Sequence, residues 1–159
     1  MLAFKSDDIT YRLTNGFTKL LDFGIARRND LTTRTRGTEL KGKIPYMSPE
    51  QILSSRDAKA SADIYALGAI LWRATMGRHV FGDLQDVELA QQKIRVDPPA
   101  IELGRTDAVA RGLEAVLGRM LKRRPAERYQ AAEEVLGDLA ALRDAARALA
   151  IDLDGATTQ

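Results

Sequence analysis

The chain has 159 residues, about one domain's length, and its 45% hydrophobic and 29% charged residues exclude a wholly disordered, collagen-like or low-complexity polypeptide. A formal charge of +2, from 24 basic and 22 acidic side chains, gives no case for nucleic acid as a partner. With no cysteine and one histidine, disulfides, thiolate nucleophiles and multi-histidine zinc sites are also excluded.

Asp7 and Asp8 interrupt the N-terminus before an apolar run of signal length develops, so no secretory leader is expected. The longest apolar stretch, residues 62–76, carries Asp63 and Arg73 and is too short for a bilayer. The expectation is a soluble cytoplasmic protein with no membrane partner. Asn15-Gly16 marks a turn, and the pattern around it predicts a short β-hairpin over residues 9–21. Residues 27–45 have neither helical nor strand period. They carry Arg27, Arg28, Arg34, Arg36, Lys41 and Lys43, with Thr32, Thr33, Thr35 and Thr38 among them. A loop that long inside a compact domain is uncommon and often functional.

Helices are predicted after Pro49. Ser48 reads as an N-cap, Pro49 as the first helical residue and Glu50 as a first-turn acid. Ser61 is predicted to cap a helix that Gly77 ends after Met76. Ile64, Tyr65, Leu67, Ile70, Leu71, Trp72 and Met76 cover nearly all its sides, which predicts a helix in the middle of a domain. A weaker helix follows over residues 84–94, and Pro98-Pro99 punctuates the next loop. Thr106 is predicted to cap a helix bearing Val109, Leu113, Val116, Leu117, Met120 and Leu121 on one face. A last helix is expected from about Gln130, with residues 151–159 as a frayed tail. The pattern is one small β piece followed by about five helices.

Asp22-Phe23-Gly24 follows the apolar run Leu20-Leu21. A carboxylate there, with a glycine that frees the backbone, can hold a hard cation against phosphate oxygens. A plain turn uses the same residues. The order of later elements separates the two. Tyr46-Met47-Ser48-Pro49-Glu50-Gln51 comes next, then Asp63-Ile64-Tyr65-Ala66-Leu67-Gly68, then Pro125-Ala126-Glu127-Arg128-Tyr129. This set, over residues 5–142, resembles the C-terminal lobe of a bacterial serine/threonine protein kinase. The resemblance implies a mainly α, kinase-like C-lobe with the N-lobe absent, residues 1–143 as a partial kinase domain and 144–159 as a helical extension and tail. It implies ATP and Mg²⁺ as cofactors and a protein as substrate. In it, Asp22 holds Mg²⁺, Phe23 is the residue whose packing separates active from inactive states, and Gly24 completes the triplet. Residues 25–47 become the activation loop, with Thr32, Thr33, Thr35 and Thr38 as its phosphorylation candidates. Glu50 pairs with Arg128, and Asp63 anchors the catalytic-loop backbone.

The catalytic loop departs from the family pattern. With Lys5 on the family's catalytic lysine, Ala3 stands where the proton-accepting aspartate belongs, and Asp8 falls on the asparagine that binds the second metal. Ala3 cannot accept a proton. Lys43 stands where many members carry threonine, three residues before Tyr46. Four residues precede Lys5, which leaves no room for the glycine-rich loop, strand lysine and helix glutamate of an N-lobe, or for two helices before the catalytic loop. Losing a base costs about 10²- to 10⁴-fold, and losing phosphate positioning costs more. Phosphoryl transfer by the isolated chain is therefore not expected. Three readings stay open: a kinase C-lobe whose N-lobe lies upstream, a degenerate pseudokinase-like docking module, and a nonfunctional gene fragment. With covering helices gone, the central helix is expected to expose apolar side chains and to favour self-association or a docking partner. His79 reads as a surface or packing residue rather than a catalyst, and Trp72 as core.

Overall fold

The computed structural model describes residues 3–6, 9–14, 17–19, 43–54 and 59–156, with side chains over 43–54 and 59–149. The chain divides into two units, residues 1–42 and 43–159.

In the first unit, β1 (Ala3–Ser6), β2 (Ile9–Thr14) and β3 (Phe17–Lys19) form an antiparallel sheet in the order β1-β2-β3. Thr14 pairs with Phe17 across the Asn15-Gly16 connection, the dipeptide favoured in two-residue hairpins. The predicted hairpin is thus found at Ile9–Lys19, and its residues 20 and 21 lie outside the described residues. A second pairing was not foreseen. Ser6 sits opposite Ile9, Lys5 opposite Thr10 and Ala3 opposite Arg12. Residues 4–6, read above as loop, are strand.

Five α-helices are described in the second unit. In α1 (Pro49–Leu53) the expected start is found in full. Ser48 caps it from an extended conformation, with Gln51 N donating to Ser48 Oγ and Ser48 N to Gln51 Oε1. That reciprocal box satisfies two otherwise orphaned donors. The helix α2 (Ala60–Met76) is stopped by Gly77, whose φ of 69° lies in the left-handed region glycine tolerates. Its N-cap is Lys59, without a side-chain bond, so the expected Ser61 cap is corrected. Ser61 is buried in the first turn, and its carbonyl is used by Arg128.

The helix α3 (Asp86–Arg95) starts two residues later than predicted, with Asp86 and Glu88 in its first turn and Lys93 and Arg95 in its last. In α4 (Ala108–Met120) the cap is Asp107 rather than Thr106, because the Asp107 carboxylate accepts from Ala110 N at 3.0 Å. A short 3₁₀ turn spans Pro125–Glu127. The last helix, α5 (Ala132–Ala156), begins two residues after Gln130. The Gln130 side chain is occupied in the preceding turn, donating to the carbonyls of Pro125 and Arg128. Residues 151–156, predicted as tail, continue this helix.

The core sits between α2 and α4. Ile64, Tyr65, Ala69 and Trp72 pack with Val116, Leu117, Met120 and Leu121, joined by Val80, Ile101, Tyr129 and Val135. Each Val, Leu, Ile or Met side chain among them contributes roughly 1.5–3 kcal/mol on full burial. The two helices approach so closely at Gly68 that a Cβ there would lie 2.9 Å from Met120 Cβ. Among the residues of α2, Leu67 is exposed and Ile70 half-buried, so the helix is not covered on every side.

Candidate functional site

The strongest polar constellation among the described residues is built on Arg128. Its residue exposure is 1%. A guanidinium has five N–H donors in a fixed plane, and burial makes every unspent donor costly. All five are spent here. Nη1 donates to Glu50 Oε1 at 2.7 Å and to Ser61 O at 2.9 Å. Nη2 donates to Glu50 Oε2 at 2.9 Å and to Arg123 O at 3.0 Å. Nε donates to Lys122 O at 2.6 Å. One side chain thereby ties α1, the start of α2 and the segment after α4. The planar fork matches a carboxylate in a way an ammonium cannot. Burial alone would raise the Glu50 carboxyl pKa, but the Arg128 fork outweighs it and holds the group below its usual range.

Tyr65 lies beneath this pair. The guanidinium of Arg128 is 4.8 Å from its ring centroid, and the ammonium of Lys93 is 5.0 Å away. Burial pushes the Tyr65 hydroxyl pKa upward, and the hydroxyl has no hydrogen-bond partner among the described residues.

Lys93 is a second buried cation, 1% exposed. Its Nζ donates to the carbonyls of Ile44 and Pro45, both at 2.9 Å. Those carbonyls lie just before the Ser48 cap, so α3 holds the chain segment that leads into α1. Burial lowers the Lys93 pKa to about 7, and the positive charge of Arg128 adds to that. Nearby, Arg73 Nη1 donates to Tyr46 Oη at 2.7 Å and lies 3.0 Å from His79 Nε2. The His79 ring meets Tyr46 edge-on. Burial, then Arg73, lowers the His79 pKa. The histidine is thus packed against the same segment.

The residues named from the sequence fall into four groups. Glu50 and Arg128 are brought together directly. Lys5 and Ala3 lie in β1, opposite Thr10 and Arg12. Asp63 is exposed in the first turn of α2. Asp8, Asp22, Phe23, Gly24, Thr32, Thr33, Thr35 and Thr38 lie outside the described residues. Among the described residues no cluster of three or more acidic or histidine side chains is placed to hold a metal, and no helix is long and apolar enough to cross a membrane. Lys93 was missed by the sequence reading. The available signal was its position four residues after Leu89, on the face of α3 that both bury.

Comparison with known proteins agrees with the order of these motifs. The protein kinase domain family matches residues 4–138. The chain is 35% identical over 137 residues to the serine/threonine-protein kinase PknB of Mycobacterium leprae, covering 85% of the chain and 21% of that protein. It is 36% identical over 138 residues to the probable serine/threonine-protein kinase PknB of Corynebacterium glutamicum, covering 82% of the chain and 21% of the relative. It is 32% identical over 132 residues to the serine/threonine-protein kinase PrkC of Bacillus subtilis, covering 83% and 20%. The chain spans about a fifth of the length of these relatives.

Proposed function

The chain belongs to the protein kinase domain family, and from that premise we propose that it forms the C-terminal lobe of a serine/threonine protein kinase and transfers no phosphate by itself. The observation that carries the reading is the buried Glu50–Arg128 fork, which joins two motifs 78 positions apart in the order the family uses.

In this reading Lys5 meets the transferred phosphate, and Asp22 and Asp8 hold Mg²⁺. Carboxylates are the hard oxygen donors this cation takes, so the donor chemistry fits. Bound Mg²⁺ would neutralise charge on the ATP phosphates. The methyl side chain of Ala3 has no basic group to accept the proton of a substrate hydroxyl. The chain also contains no Gly-x-Gly-x-x-Gly sequence to cover the phosphates. Residues 1–143 are the partial kinase domain and 144–159 its extension, in the cytoplasm.

The test is phosphate incorporation into casein by the purified chain with Mg²⁺ and ATP. Incorporation equal to a protein-free control is expected. Incorporation above that control overturns the proposal.

A further inference from the structure

Tyr46, Arg73 and His79 meet at the C-terminal end of α2 and share no member with the Glu50–Arg128 pair. Arg73 stands in the last turn of α2 and is exposed, while Tyr46 and His79 are half-buried. The two N–H groups of Arg73 Nη1 go to Tyr46 Oη at 2.7 Å and to His79 Nε2 at 3.0 Å. A guanidinium only donates, so His79 Nε2 accepts and the imidazole is neutral. Both partners are uncharged. They fix the guanidinium without compensating its charge.

Arg73 forms no ion pair among the described residues, and its Nε and Nη2 groups donate to nothing there. The Tyr46 hydroxyl accepts from Arg73, and its own proton has no acceptor among the described residues. The charges that act on His79 come from Arg73 on α2, Lys93 on α3 and Asp83 in the turn between these helices. Asp83 is the acid of that set, and it makes no ion pair among the described residues. Ordering a long side chain on binding costs affinity, and here the fold has already ordered it.

We infer that Tyr46, Arg73 and His79 form a recognition site for an acidic side chain of a peptide, whose carboxylate takes the free Arg73 N–H groups and the Tyr46 O–H. The planar fork of a guanidinium matches a carboxylate. An anion set between Arg73 and His79 also favours the imidazolium, so His79 gains a proton and its Nε2–H serves the ligand. A free acid on an open surface gains little against water. A peptide adds contact with Pro45 and Met47, half-buried on either side of Tyr46. Lys93 holds the Ile44 and Pro45 carbonyls and so keeps this strip of backbone in place. The site needs no phosphate transfer and stands whether or not the C-lobe reading holds.

His79 is the only histidine, so the full chain gives one set of imidazole proton resonances. The experiment titrates hexaaspartate into the chain at constant ionic strength and follows those resonances, with hexaasparagine as the uncharged control. A saturable shift with hexaaspartate alone is expected. The bound peptide should raise the histidine pKa, which is lowered in the free chain. By linkage, binding should then be about two- to tenfold tighter near pH 5.5 than near pH 7.5. Arg73→Gln should weaken binding about tenfold and remove this pH dependence. Arg78→Gln removes the same charge from an exposed neighbour and should leave binding within about twofold. Asp83→Asn, which removes the nearby acid, should tighten binding. Equal shifts with hexaasparagine, equal losses in Arg73→Gln and Arg78→Gln, or a histidine pKa that the bound peptide leaves unchanged would each overturn the assignment.

Discussion

Replacing Glu50 by Gln keeps the shape of the Arg128 contact and removes its charge. The guanidinium is then left with its side chain 0% exposed and no carboxylate opposite it. Breaking a buried pair by removing one partner costs about 3–5 kcal/mol, a large part of a domain's 5–15 kcal/mol. Arg128→Met is expected to cost a similar amount for a different reason. It strips the carbonyls of Ser61, Lys122 and Arg123 of a donor while Glu50, 16% exposed at its side chain, still reaches water. The double variant should lose less than the sum of the two, because the buried guanidinium that Glu50→Gln leaves without its carboxylate is gone. Urea unfolding read by Trp72 fluorescence measures all three, since that residue is in the core and reports alone. The pH dependence gives a second check. The Glu50 pKa is lowered in the fold from 4.5, so its contribution is present above about that pH and is lost as pH falls through the lower folded value. The gap between wild type and Glu50→Gln should therefore close in acid. A loss below about 1 kcal/mol for Glu50→Gln at neutral pH would refute the reasoning, because it would mean the pair is solvated.

Lys93 acts with the same sign in a higher pH window. Its pKa falls from 10.5 to about 7 on folding, so the unfolded chain binds the extra proton between those values and stability should rise with pH across that window, by at most about 1.4 kcal/mol per pH unit. Lys93→Met should flatten this slope in denaturation curves collected between neutral and alkaline pH, and an unchanged slope would place the titration elsewhere. Gly68→Ala should destabilise by about 1–3 kcal/mol, since its Cβ would press on Met120 Cβ, while Gly118→Ala, with open space around it, should be neutral or gain up to about 1 kcal/mol from helix propensity. Thermal melts of the two alanine variants compare them directly, and equal effects would remove the close approach of α2 and α4 as the cause.

Much of this fold could be read from residue pattern because local chemistry agrees with tertiary packing. Ser48-Pro49-Glu50-Gln51 contains a cap, a proline and a reciprocal side chain within four residues, and nothing distant competes with them. Asn15-Gly16 is equally local. The misses have different causes. Ser61 looked like a cap, but α2 starts one residue before it with Lys59 at the cap position, so Ser61 lies inside the first turn. Thr106 lost the cap to Asp107, whose charge makes the stronger acceptor and which also bonds Arg105. Lys93 escaped notice because a buried lysine is rare, and only the Ile44 and Pro45 carbonyls, 49 and 48 positions away, make it tolerable. The Glu50–Arg128 pair was within reach only through the order of motifs, since no periodicity connects residues so far apart.

The alanine at position 3 leads to a test that separates two causes of inactivity. A general base is worth about 10²- to 10⁴-fold, whereas phosphoryl transfer depends chiefly on positioning and on neutralising the phosphate charge. If the missing acceptor were the principal defect, Ala3→Asp would restore transfer by a factor of that size. If positioning is the principal defect, the carboxylate has no aligned phosphate to act on. The 159 residues hold no glycine-rich phosphate loop, so the second case is expected. Ala3→Asp, alone and combined with Asp8→Asn, should leave phosphate incorporation into casein at background with Mg²⁺ and ATP. Calorimetric titration of Mg²⁺–ATP should show the same heats for the variants and the parent chain. Transfer rising above background in Ala3→Asp alone would show that these residues already grip the nucleotide, and the C-lobe reading would have to be given up.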